Sequence, residues 1–219
     1  ALYNNTADNN TAVGGSALLA NTSGTANTAV GALALDTNTT GTELTAVGKS
    51  ALSTSTGSYN TAMGSGAMAN TTTATHNSAF GRIALSLNTT GANNTAVGSR
   101  ALYATTTGAN NVAVGYNSLT ANTTASNNTG VGYGALDANT TGAGGTALGF
   151  QALSGNLSGA DNTAVGINAL FANTTASSNT AVGKAALTAN TTGTRNVAVG
   201  FNALDANTTA SETTAIGWN

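Results

Sequence analysis

From Asp161 to Leu204 the chain reads DNTAVGINALFANTTASSNTAVGKAALTANTTGTRNVAVGFNAL, nearly one phrase stated three times. Aligned on the glycine of Ala-Val-Gly, the phrase recurs at Gly14, Gly31, Gly48, Gly64, Gly81, Gly98, Gly115, Gly132, Gly149, Gly166, Gly183, Gly200 and Gly217. Every step is 17 residues except Gly48 to Gly64, which is 16. The consensus is N-T-A-V-G-x-x-A-L-x-x-N-T-T-G-x-x. A fixed short period of this kind points to a stack of structural repeats, each too small to bury a core alone.

Read down the columns, the repeat separates buried from exposed positions. The residue before the glycine is large and apolar in all thirteen copies: Val in most, Met63, Phe80, Leu148 and Ile216 in the others. The fourth residue after it is always Leu or Met. Ala precedes that Leu in every copy but one (Ser118), and Ala stands two before the glycine in every copy but one (Gly130). All twelve charged residues fall in variable slots, as do His76 and every aromatic except Phe80.

Helix formers such as Glu, Lys and Gln are scarce, while Gly, Asn and Thr abound, so a helix is disfavoured. Thr-Ala-Val alternates as a short strand does. Thr and Val share one face, and their replacement by Val112 and Val197 in the Thr column suggests that this is the buried one. Ala-Leu reads as a second short strand with Leu inward, Asn-Thr-Thr-Gly as a wide turn, and the glycine after Val as a tight turn. The expectation is an all-β, parallel β-solenoid or β-roll of about 13 coils with two short strands per coil, about 60 Å long at the strand spacing. Its core ladder is expected in Val97, Val114, Val131, Leu102, Leu119 and Leu136, and its turns at Gly98, Gly115 and Gly132. The uniformly small Ala face, directed away from Val, is expected to pack on another copy of the chain. The pattern begins and ends in mid-phrase, so residues 1–219 read as a single β-roll region from the interior of a longer fibrous chain.

At this point N-T-A-V-G-x-x-A-L is similar to S-V-A-I-G-x-x-S-x-A, the head repeat of trimeric autotransporter adhesins (the YadA-like head), over Ala7 to Asn219. The longer Asn-Thr-Thr-Gly turn resembles the repeat arrays of phage tail fibres. Three departures stand out: the longer turn, Ala in place of Ser, and Thr in place of a small apolar residue before Ala. The resemblance implies a left-handed roll, a homotrimer, an extracellular position on a bacterial cell surface or virion tail fibre, and a host-surface glycan or protein as partner.

The chemistry of the chain is sparse. Only 5% of its residues are charged, against about 25% in ordinary soluble domains. A net charge of −2 offers no footprint for nucleic acid, and no apolar run approaches the roughly 18 residues of a membrane-spanning helix. There is no Cys to build a disulfide framework. The single His76 lies in a variable slot, the acids are scattered over different coils, and no Walker, nucleophile-elbow, zinc-protease or calcium-nonapeptide pattern occurs. No enzyme, cofactor or metal site is expected.

One column could recognise something. The slot after the glycine holds Tyr116, Tyr133, Phe150, Phe201 and Trp218, against Gly15, Ala32, Lys49, Ser65, Arg82 and Ser99 earlier. This aromatic stripe suits either a sugar or protein surface, or packing between chains. The many N-x-[ST] triplets, such as those at Asn21 and Asn139, match glycan acceptors but follow from copying one turn. The leading functional expectation is a structural and adhesive fibre segment. The alternatives are an ice-binding solenoid, for which an outward Thr array would be required, and a self-assembling extracellular filament.

Overall fold

The computed structural model describes residues 1–3 and 5–218. It comprises two compact units, Ala1–Asn110 and Asn111–Asn219. The first contains β1 (Thr11–Val13), β2 (Thr28–Val30), β3 (Thr45–Val47), β4 (Thr61–Met63), β5 (Ser78–Phe80) and β6 (Thr95–Val97). Each pairs in parallel with the next in register, Ala on Ala throughout and Thr on Thr except where Ser78 stands in β5. The second contains β7 (Val112–Val114), β8 (Thr129–Val131), β9 (Thr146–Leu148), β10 (Thr163–Val165), β11 (Thr180–Val182), β12 (Val197–Val199) and β13 (Thr214–Ile216), again in sequential parallel register. Both units are therefore parallel β-solenoids with one repeat per coil. The single short step, Gly48 to Gly64, removes a residue from the turn and leaves register intact, with Thr45 still beside Thr61.

Each coil contains one three-residue strand, not two. The Ala-Leu segment expected as the second strand is a turn, because its Leu has positive φ in every copy, for example 51° at Leu170. Four residues per coil bend the chain this way; around Gly166 they are Asp161 (57°), Gly166 (129°), Asn168 (57°) and Leu170 (51°). Left-handed backbone costs an L-residue roughly 1–2 kcal/mol, and β-branched residues tolerate it worst. That cost accounts for a column restricted to Leu and Met. Coil-to-coil hydrogen bonds continue through the bent segments, as from Leu170 N–H to Ala186 O (3.0 Å) and from Thr174 N–H to Thr191 O (3.3 Å).

The strand faces are inverted relative to the sequence expectation. The central Ala of the strand points into the coil: Ala96, Ala113, Ala164 and Ala181 are completely buried. Val and Thr point outward, with Val97 37% exposed and Val114 and Val131 half-buried. The Val members of the expected core ladder are thus surface residues, whereas Leu102, Leu119 and Leu136 are fully buried as expected. The Ala face is likewise the coil's own interior and not a surface for another chain. The reason is width. Chain bent this tightly leaves space for Ala from the strand, Ala from the opposite turn and one Leu between them.

The two exceptions in the Ala columns show how tight this interior is. A Cβ on Gly130 would lie 2.6 Å from Ser118 Oγ, and the Ser118 hydroxyl donates to Gly130 O at 2.9 Å. The hydroxyl occupies the space that a missing methyl vacates on the facing column. Gly130→Ala alone should therefore destabilise the chain, while Ser118→Ala with Gly130→Ala restores the repeat's usual pair. A thermal-melt double-mutant cycle should give a favourable coupling of about 1–3 kcal/mol.

Buried asparagines do the work of a second sheet. The pre-strand Asn uses its amide as a backbone extension. Asn162 Nδ2 donates to Ala176 O (2.7 Å), and Asn162 Oδ1 accepts from Asn179 N–H on the next coil (3.0 Å). The turn Asn forms a side-chain ladder. Asn173 Nδ2 donates to Asn156 Oδ1 (2.8 Å) and to Ala176 O (3.0 Å), and Asn190 Nδ2 donates to Asn173 Oδ1 (3.2 Å). These amides satisfy backbone groups that strongly bent chain leaves unpaired. Asn21 and Asn139 belong to this ladder and are fully buried, so in the folded chain neither is open to glycan attachment.

Candidate functional site

The glycine after Val ends the strand and aims the next residue outward. Its φ is 130° at Gly98 and Gly115 and 135° at Gly132, a region closed to side chains. A Cβ on Gly115 would also lie 2.5 Å from Gly132 O. Because this corner is the same in every coil, the following residues stack in register. In the second unit Tyr116, Tyr133 and Phe150 form a ladder with ring centroids 5.6 and 5.2 Å apart and planes within 18° and 11° of parallel. Farther along the same column Lys184 Nζ lies 5.5 Å from the Phe201 ring centroid, and Trp218 meets Phe201 edge-on at 6.0 Å. The Tyr133 ring is half exposed, and Trp218 far more so.

The stack limits what the ladder can bind. A sugar ring needs an open aromatic face, and here the faces of Tyr133 are occupied by Tyr116 and Phe150. What reaches solvent is a narrow apolar ridge of ring edges. Each stacked pair contributes about 0.5–1.5 kcal/mol to its own coil contact, and the ridge suits a partner's shallow apolar strip better than a saccharide. Replacing Tyr133 and Phe150 by Ser should therefore reduce self-association measured by sedimentation. Unchanged association with loss of binding to a surface would instead identify a recognition site.

A second outward column runs on the strand itself. The residue before the glycine, expected inside, forms an exposed apolar row: Met63, Phe80 and Val97 in the first unit, Leu148 and Val182 in the second. The sequence carried a signal for this. The column holds five residue types of different size, while the Ala column beside it is nearly invariant, and a filled interior tolerates size changes poorly.

Little else resembles a reaction centre. His76 stacks on Tyr59 (centroids 4.9 Å apart, 23° between planes) on the surface. Partial burial raises the Asp36 carboxyl above the usual range, opposed by hydrogen bonding to the backbone of Asp36 and Thr37; its Oδ1 is buried without a partner. Arg195 and Glu212 form an exposed ion pair at 2.6 Å. Among the described residues there is no pocket, no grouping of three potential metal ligands and no helix long and apolar enough to cross a membrane. Neither a family model, nor a curated protein, nor a solved structure matches this chain.

Proposed function

We propose that the chain is a structural and adhesive segment of an extracellular fibre, on a bacterial cell surface or a virion tail, in which three copies associate side by side. The proposal assigns it no catalytic step. The fold itself, a β-solenoid hydrogen-bonded from coil to coil, suits a structural, fibre-like role. The observation that carries the association is the pre-glycine column, apolar in all thirteen copies yet exposed or half-buried in the single chain. Within each unit, an apolar row at the surface of a sparsely charged protein favours contact with another protein surface. The aromatic ridge lies one turn away and flanks that contact. The number three rests on the resemblance to trimeric adhesin heads. A charge placed on this outward column tests the reading without touching the interior. Val97→Asp and Val182→Asp together should keep the circular-dichroism spectrum and reduce the assembly to single chains.

Ice binding is the second reading. Thr and Val now point outward together, which supplies the exposed Thr array that reading requires. The neighbouring column alternates among Val, Met, Phe and Leu, however, and a crystal lattice demands constant geometry where a protein partner demands only apolarity. Thermal hysteresis by the purified chain would reverse the preference.

A further inference from the structure

Not every N-x-[ST] triplet lies in the buried turn. Asn93-Asn94-Thr95 and Asn127-Asn128-Thr129 stand at the entry to a strand, and Asn9-Asn10-Thr11 repeats them. In each the first Asn is exposed, at a corner where φ is 59°, 63° and 61° respectively. The third residue is the leading Thr of the strand, on its outward face. Asn70 of Asn70-Thr71-Thr72 is exposed as well, because Thr71 takes the buried place in that turn. The strand-entry corner does not demand asparagine, since Glu43, Tyr59, His76 and Arg195 fill it in other coils. The turn triplets differ at the amide nitrogen. Asn139 Nδ2 donates to Asn122 Oδ1 (3.2 Å) and Gly142 O (2.9 Å), so both of its hydrogens are used inside the fold. Asn173 Nδ2 is bound in the same way. Asn93 Nδ2 instead makes one bond at the surface, to Asn110 Oδ1 (3.2 Å), and its second hydrogen is open to solvent.

We propose that Asn93 and Asn127, together with Asn9 and Asn70, accept Asn-linked sugar, and that the turn asparagines do not. The co-reactant is a sugar activated as its nucleoside diphosphate. Asn Nδ2 attacks the anomeric C1; the Nδ2–C1 bond forms, the C1–O bond to the diphosphate breaks, one Nδ2 proton goes to solvent, and the nucleoside diphosphate leaves. The product keeps one N–H on Nδ2, so Asn93 can carry the sugar and still donate to Asn110. A transferase reading N-x-[ST] needs both the amide and the hydroxyl two residues on, and the strand-entry corner presents them together at the surface. Asn110 supplies a built-in comparison. It occupies the same column, is exposed and has φ of 59°, but the residue two beyond it is Val112. The inference stands on exposure and triplet chemistry and is independent of how the chains associate.

The test treats the whole folded chain with a sequon-reading asparagine glucosyltransferase and UDP-glucose, the enzyme's activity being verified on a free Asn-Asn-Thr peptide. Peptide mass mapping should find hexose on Asn93 and Asn127, with Asn9 and Asn70 also modified, and none on Asn110, Asn139 or Asn173. Thr95→Val should lose the hexose at Asn93, and Val112→Thr should create an acceptor at Asn110. Both variants keep the fold on the repeat's own showing, since Thr and Val alternate in that column, and circular dichroism checks it. Asn93 and Asn127 left bare, Asn110 modified as fully as Asn93 in the parent, or hexose on Asn139 and Asn173 of a chain that remains folded would overturn the proposal.

Discussion

Gly166→Ala should lower the unfolding midpoint by roughly 10 °C, from a destabilisation on the order of 3–5 kcal/mol. Two effects add. The φ of 129° is a region that L-residues rarely adopt, and the new Cβ would lie 2.5 Å from Gly183 O and 2.6 Å from Gly183 C on the next coil. Those atoms are backbone in a hydrogen-bonded stack and have nowhere to go: Gly183 N–H itself donates to Val165 O at 2.7 Å. Gly15→Ala is the matched control. A Cβ there meets nothing within 4 Å, and the stability should stay within about 0.5 kcal/mol of the parent. Differential scanning calorimetry distinguishes the two; similar small shifts for both would mean that the turn is not packed as described.

Asn173→Ala should cost about 2–5 kcal/mol, because it removes one rung from a buried ladder. Asn156 Oδ1 and Ala176 O each lose a donor, and Asn190 Nδ2 loses an acceptor. Buried groups left in this way cost roughly 1–3 kcal/mol apiece. The repeat indicates which substitution is milder. Ser55, Thr71 and Thr105 occupy the same column and are fully buried, so the column accepts a hydroxyl, although Ser55 reaches Gly57 O (3.3 Å) in the coil with the shortened turn and the Thr71 hydroxyl is buried without a partner. Asn173→Ser should therefore cost distinctly less than Asn173→Ala in denaturant titration. Hydrogen exchange should show the loss confined to coils near residue 173, since repeat stacks are stabilised by nearest neighbours.

The period, the parallel stacking and the glycine turns were legible because they rest on spacing alone. Which strand face lies inside was not. Alternation in Thr-Ala-Val fixes that Thr and Val share a side, but apolarity favoured Val as the core, and the coil is too narrow for it. Constancy of size, evident in Ala96 and its equivalents, marks the interior of a thin solenoid better than hydrophobicity does. Ala-Leu imitated a strand because Leu136 is buried and its neighbours alternate in type, while the conformation that excludes Val and Ile from the column leaves no trace in a binary pattern. The Asn ladder was hidden for a related reason. Asn is ordinarily a turn residue exposed to water, and its burial in Asn156 and Asn173 becomes visible only when successive coils lie in register.

The aromatic column was legible as outward, since its residues change from coil to coil. Its ligand chemistry was not, because stacking uses the ring faces that a sugar would need. The meaning of the pre-glycine column likewise depended on the fold: an apolar row is core if it points inward and an interface if it points outward.

The most direct measurement is the mass of the folded chain in solution by multi-angle light scattering. Association through the outward Val column predicts three times the 21.0 kDa chain mass, falling to one when Val97 and Val182 carry aspartate. A folded chain that remains at 21.0 kDa across micromolar to millimolar concentrations would contradict it.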